Sequence, residues 1–393
     1  MWAYGITKDK IETINRIPVD QRIPSNGIEK LNVPIPKIDD LEVLIKVKSS
    51  SLNYNSLWSA MCYPMTPIQL ISSHIQRNPS YKKHLEDYFI FGSDASGVII
   101  KLGKNVNGWS VGDEVIIHCN VVNEFDSVIQ NDGMLSESHS IWGYETNYGA
   151  FAEYTKVRAS QLIKKPKNIS WQVAASYNLC LSTAYRMLIS TNGAKIKAGD
   201  TCLIWGASGG LGSFAVQLAK LSGAKVIAVV SSEEKKEICY KLGADFVFNR
   251  KTEFPKTFIT ENGDPNYIAW KKIKSLLTKK EINSIDVVFE HIGRETLGLS
   301  TYLVKRGGKV VICAATSGYL STIDLRFLWM QLKTILGSHF ANYHEASLAS
   351  QLIFNGDIKP LIYGSYDISK IPTLMDKMFS GKSYGKIVFN HEK

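Results

Sequence analysis

With 393 residues, 45% of them hydrophobic and 21% charged, the chain has ordinary soluble composition and length for two domains with separate cores. No stretch approaches about eighteen uninterrupted apolar residues, and the opening MWAYGITKDKIETINRIPVDQR lacks a basic region followed by an apolar run, so no membrane association and a cytoplasmic location are expected. Lys+Arg exceed Asp+Glu by 46 − 36 = +10, which favours an anionic partner. The basic residues are scattered, with modest clusters at 164–167 and 271–280, and no groove-reading motif accompanies them, so nucleic acid is not the expected partner.

The first part of the chain, to about residue 175, reads as β-rich. Residues 41–49, LEVLIKVKS, alternate as a strand does, and 95–102 with 111–117 form a strand pair past the turn Gly103-Lys104-Asn105. Between them, 61–88 is polar, carries Pro64, Pro67 and Pro79, and is expected to be a loop-rich excursion or short helices. Residues 171–189 change to helical spacing, with Ser170 as a cap.

Residues 201–232, TCLIWGASGGLGSFAVQLAKLSGAKVIAVVSS, give an apolar strand, a glycine-rich turn, a helix and a second apolar strand. Such a unit binds a dinucleotide. Gly206, Ala207, Ser208, Gly209, Gly210, Leu211 and Gly212 let the backbone approach a pyrophosphate at a helix start, although Ala207 replaces the first glycine of the usual G-x-G-x-x-G. After Val230 there is no carboxylate for a ribose hydroxyl, but Ser231, Ser232 and then Lys235, with Arg250 after the next strand. This chemistry suits a 2′-phosphate, so the expected cofactor is NADPH.

Further strands are expected at 246–249, 285–289 and 309–314, with a long basic and polar insertion over 251–282. The alternation implies a parallel doubly wound sheet. From Gly337 onward, strands at 361–366 and 386–390 flank a helix near 374–379 and rejoin the first domain. The expected architecture is α/β: a β-rich domain (1–177 and 339–393) and a Rossmann nucleotide-binding domain (178–338). The cysteines Cys62, Cys119, Cys180, Cys202, Cys239 and Cys313 include no C-x-x-C, so a structural zinc lobe is not expected.

This arrangement resembles the medium-chain dehydrogenase/reductase superfamily over nearly the whole chain, which implies that the β-rich domain is GroES-like and catalytic. Where its zinc enzymes carry Gly-His-Glu, this chain reads Phe91-Gly92-Ser93-Asp94-Ala95-Ser96-Gly97, so the zinc-free branch is indicated and no metal is expected. IWGYETN (141–147), IWGASGGLG (204–212), VFEHIG (288–293) and GSHFANY (337–343) together resemble the crotonyl-CoA carboxylase/reductase family. That resemblance implies NADPH-dependent reduction of a trans-2-enoyl-CoA, with carbon dioxide trapped at Cα to give an alkylmalonyl-CoA. It also implies a carbon-dioxide pocket of Asn55, Tyr144, Glu145 and His339, with Thr183, His291, Ala314 and Phe340 near the cofactor and Tyr302 and Arg326 at the coenzyme A end. The family's dimers paired into tetramers make a homo-oligomer the expectation, and the chain looks short at its start beside family members. Tyr144 brings a hydroxyl toward the carbanion, so a reductase of enoyl-CoA or quinones that protonates instead of carboxylating stays open. A nucleotide-binding protein without catalysis, recruited to RNA, has only the net charge in its favour.

Overall fold

A computed structural model describes residues 1–392. The chain forms two compact units, Met1–Leu179 with Asn342–Lys393, and Cys180–Ala341.

The first unit is built on a seven-stranded sheet. Glu42–Ser51 is its long central strand, with apolar Val43, Leu44, Ile45 and Val47 all buried. It pairs antiparallel with Ala95–Leu102 on one side and with Lys386–Asn390 on the other, so the C-terminal segment closes the sheet begun near the N-terminus. Ile362–Asp367 extends it by a parallel pairing. A smaller antiparallel sheet joins Trp2–Thr7 to Glu29–Asn32 and Tyr88–Ile90.

The second unit is a six-stranded parallel sheet in the order Phe246–Asn249, Lys225–Val230, Thr201–Trp205, Val287–Glu290, Lys309–Ile312, Thr334–Gly337. Strand order reverses at Thr201–Trp205, so the turn that follows lies at the topological switch point, where doubly wound sheets bind ligands.

Three stretches depart from the sequence expectation. The helical run over 171–189 is two helices, Trp171–Ala174 and Asn178–Leu188. Ser176 breaks it by giving both its N–H and its hydroxyl to Val173 O, and Tyr177 is drawn inward, donating to Ser350 Oγ at 3.0 Å. The supposed insertion at 251–282 contains the helix Tyr267–Lys279, whose Ala269, Trp270, Ile273 and Leu277 are buried while its lysines face solvent. Charge on the outer face masked an amphipathic period. The proline-rich excursion does hold short helices, one of the two forms expected, among them Pro67–Arg77, which starts on a Thr66/Gln69 capping box. The helix Tyr343–Phe354, capped reciprocally by Asn342 and Glu345, had no counterpart in the sequence reading.

The unit boundary also differs from the expected one at residue 339. Ser338 N–H bonds Ile312 O at 2.8 Å, so His339 and Phe340 follow the last strand of the nucleotide unit rather than the β-rich one.

Candidate functional site

In the nucleotide unit the turn is fixed by one histidine and two glycines. Gly206 has φ +56, and a Cβ there would lie 2.8 Å from Cε1 and Nε2 of His291. Nε2 of His291 meets Trp205 O at 2.9 Å; the carbonyl can only accept, so this nitrogen carries the proton, and burial holds the ring's pKa down. Gly212 closes the other side, because a Cβ would sit 2.3 Å from Gly206 O. The helix Gly210–Leu221 therefore starts hard against the strand end. Gly209 is its N-cap and offers no side-chain cap, which leaves the first-turn donors and the dipole for an anion. Ala207 and Ser208 are buried, whereas Gly209, Gly210 and Leu211 are partly open.

A substitution at Gly206 tests this geometry. Gly206→Val places a β-branched residue in the left-handed region against His291, and the Kd for NADPH is expected to rise about tenfold or more in a fluorescence titration. An unchanged Kd would show that the turn does not hold the cofactor.

His291 is itself framed by Glu290, for which the sequence reading had no role. Its Oε1 accepts from Ile292 N (2.7 Å), Gly293 N (3.1 Å) and Thr296 Oγ1 (2.9 Å). Its Oε2 accepts from Ser300 Oγ at 2.7 Å, and that hydroxyl accepts from Trp205 Nε1 at 2.9 Å. Burial raises the carboxyl's pKa and these donors pull it back. The network ties the turn carrying His291 to the strand carrying Trp205.

At the end of Lys225–Val230, Lys235 Nζ lies 3.5 Å from Ser231 Oγ, and burial lowers the lysine's pKa. Arg250 arrives beside them through its N–H bond to Val230 O at 2.8 Å; its guanidinium is half-exposed and 3.8 Å from Glu295. Ser232 does not join this group, since its hydroxyl caps the helix Glu233–Lys241 by accepting from Lys235 N. The nearby Glu233 is turned onto Asn249 at 2.7 Å. A hydroxyl and two cations after a strand end, with Glu233 turned away and Glu295 reaching only the half-exposed Arg250, fit a 2′-phosphate. Thr183 is buried in Asn178–Leu188, Ala314 lies half-buried after Lys309–Ile312, Phe340 is buried with φ 43, and His339 is exposed.

The two residues expected at the coenzyme A end are already engaged. Arg326 is exposed and grips Asp324 bidentately, Nε to Oδ1 at 3.0 Å and Nη2 to Oδ2 at 2.7 Å. Tyr302 has Trp270 at 5.5 Å, Phe327 at 5.0 Å and the Lys274 ammonium 5.4 Å from its ring centre. The Asp324 grip uses Nε and Nη2, so the Nη1 donors of Arg326 remain for a phosphate.

In the β-rich unit, Asn55 and the Tyr144-Glu145 pair are brought together through Gly92-Ser93. Asn55 Nδ2 donates to Ser93 Oγ at 2.9 Å. One residue earlier, Gly92 O lies so close to Gly143 that a Cβ on the latter would be 1.9 Å away, and Gly143 has φ +72. This contact, possible only for glycine, brings the loop that carries Tyr144 and Glu145 against the turn that carries Ser93. The loop is tight: Ile141 O receives the N–H groups of Tyr144, Glu145 and Thr146, and Ile141 N–H goes to Glu145 Oε2 at 2.8 Å. Tyr144 and Glu145 are both half-buried.

Beneath Asn55 lies a charge pair that the sequence did not reveal. Asp94 and Lys386 are each 1% exposed at the side chain and meet at 3.0 Å. Asp94 Oδ2 also accepts from Asn53 Nδ2 at 2.9 Å and Ser51 Oγ at 3.3 Å, and Oδ1 from Leu179 N at 2.9 Å. An ammonium thus faces the carboxylate at the position compared above with a zinc-ligand motif. Among the described residues no group of three or more His, Cys, Asp or Glu comes together to hold a metal.

Residues 39–167 match the alcohol dehydrogenase GroES-like domain family, and residues 210–355 the family described as zinc-binding dehydrogenase. Fold and site define a two-domain medium-chain dehydrogenase/reductase whose zinc-ligand positions are not kept. The crotonyl-CoA reductase of Streptomyces collinus is 42% identical over 370 residues, 94% of this chain and 82% of the relative. The crotonyl-CoA carboxylase/reductase of Cereibacter sphaeroides is 41% identical over 91% of this chain and 81% of its own length. The solved 2-octenoyl-CoA carboxylase reductase CinF, in complex with NADP and 2-octenoyl-CoA, superposes with a TM-score of 0.93 at 38% identity, covering 99% of this chain and 87% of that one. The chain belongs to the crotonyl-CoA carboxylase/reductase family.

Proposed function

We propose that this protein reductively carboxylates a trans-2-enoyl-CoA with NADPH, giving an alkylmalonyl-CoA. The observation that carries the reading is the packing of the Tyr144-Glu145 loop, at Gly143, on Gly92, next to the Ser93 that accepts from Asn55, in a chain whose other unit follows a strand with Ser231 and Lys235. Bound NADPH supplies a hydride to Cβ of the enoyl thioester, and the electron pair displaced to Cα forms the C–C bond to carbon dioxide instead of taking a proton.

The turn at Gly206–Gly212 binds the pyrophosphate, while Ser231, Lys235 and Arg250 hold the 2′-phosphate. Asn55 uses one amide hydrogen on Ser93 Oγ, which orients the other toward an oxygen of carbon dioxide. Glu145, with Oε2 fixed by its own loop, orients a water through Oε1. His339 is assigned to the same task by its motif. Since each contact to carbon dioxide is weak, selectivity over protonation rests on placement and on keeping water from Cα.

The same reading, by its family, makes the protein a cytoplasmic homo-oligomer; among the described residues no helix is long and apolar enough to cross a membrane. Mass analysis of the product from crotonyl-CoA in bicarbonate buffer tests the activity. Ethylmalonyl-CoA is the expected product; butyryl-CoA alone would mark a protonating reductase.

A further inference from the structure

Glu145 Oε1 faces a residue outside every motif: Nε2 of His74 lies 3.9 Å away. His74 is buried in the last turn of the helix Pro67–Arg77. Its ring lies flat on Tyr81, with centroids 5.1 Å apart and planes inclined by 21°. Tyr81 donates its hydroxyl to Ser138 O at 2.5 Å and shares a 3.0 Å bond with Ser140 Oγ. Ser140 precedes Ile141, whose N–H holds the other oxygen of Glu145. Ile141, Glu145, His74, Tyr81 and Ser140 therefore close a ring of contacts, and the imidazole is held at one place in it.

We propose that His74 is a positioning residue that fixes the rotation of the Glu145 carboxylate and so biases the carbanion toward carbon dioxide. The proposal rests on the role given to Glu145 above. A separation of 3.9 Å is too long for a direct hydrogen bond, so the coupling runs through one bridging water. Without it the carboxylate loses the restraint on Oε1, and its terminal torsion is intrinsically broad. Misplacement on the order of 1 Å is enough to change reaction partition substantially.

Two variants separate positioning from packing. His74→Phe keeps the stack on Tyr81 and removes both nitrogens, whereas His74→Gln restores an N–H donor. With ¹³C-bicarbonate, the ratio of carboxylated to protonated product per NADPH consumed is expected to fall about threefold or more in H74F, and H74Q is expected to recover more than half of the loss. An unchanged ratio in H74F, or equal losses in both variants, would overturn the proposal. A second arm does not depend on the product: in ¹⁵N-histidine spectra, the His74 Nε2 resonance, assigned by its loss in H74F, is expected to move in Glu145→Gln. A resonance that stays in place would overturn the coupling even in an active enzyme. A wild type that only protonates would instead sink the functional reading, and the spectra would still decide whether His74 holds Glu145.

Discussion

Lys386→Met is expected to destabilise the β-rich unit by about 3–5 kcal/mol, because it leaves a buried carboxylate without its counter-charge. Asp94 retains only neutral donors in that variant, from Asn53, Ser51 and Leu179, which do not replace an ammonium at 3.0 Å. The double variant Asp94→Leu/Lys386→Met removes both charges and is expected to regain most of the loss, since a buried pair exchanged for apolar groups is often neutral. Urea midpoints at constant slope measure both. A loss below about 1 kcal/mol in the single variant would mean that water reaches the pair. The consequence extends to the site, because Asn53, bonded to both charged groups, is the N-cap of the helix Tyr54–Met61 that carries Asn55.

Acid is expected to unfold the β-rich unit steeply. Burial pushes His84, His118 and His391, all in that unit, down to about 3. A depressed folded pKa means that the unfolded chain binds protons the native one refuses. Stability is then fully present above the unfolded pKa of about 6.5 and is lost as pH falls toward about 3. Each imidazole contributes a slope of about 1.4 kcal/mol per pH unit in that window, so the transition should take up about three protons. His118→Phe should reduce the uptake to about two. An acid transition of the same steepness in wild type and variant would contradict this account.

What the sequence revealed were features carried by near neighbours. The strand, turn and helix from Thr201 to Leu221 lie within one short segment, and their apolar pattern and glycines report directly on backbone path. The return of 386–390 to the first domain was legible because its apolar run is strand-like and follows the last helix. Contacts between distant segments were not legible. Asp94 and Lys386 are 292 positions apart, and no local pattern marks a lysine inside an apolar strand as a partner for one particular aspartate. His74 likewise gave no sign by itself, although Thr66-Pro67 with Gln69 was a readable helix start that would have placed it on a helix. In the helix Tyr267–Lys279, composition overruled periodicity: the lysines suggested an insertion, while Trp270, Ile273 and Leu277 already had the spacing of a buried face. Arg326 shows the opposite limit, since Asp324, two residues away, takes its guanidinium in a grip that chain order alone does not reveal.

The most direct test of the account is turnover of crotonyl-CoA by the wild-type protein with NADPH and ¹³C-bicarbonate, counting label in the product against NADPH oxidised. The account predicts close to one labelled carboxyl per NADPH, located on the former Cα. NADPH oxidation with unlabelled butyryl-CoA as the product would contradict it.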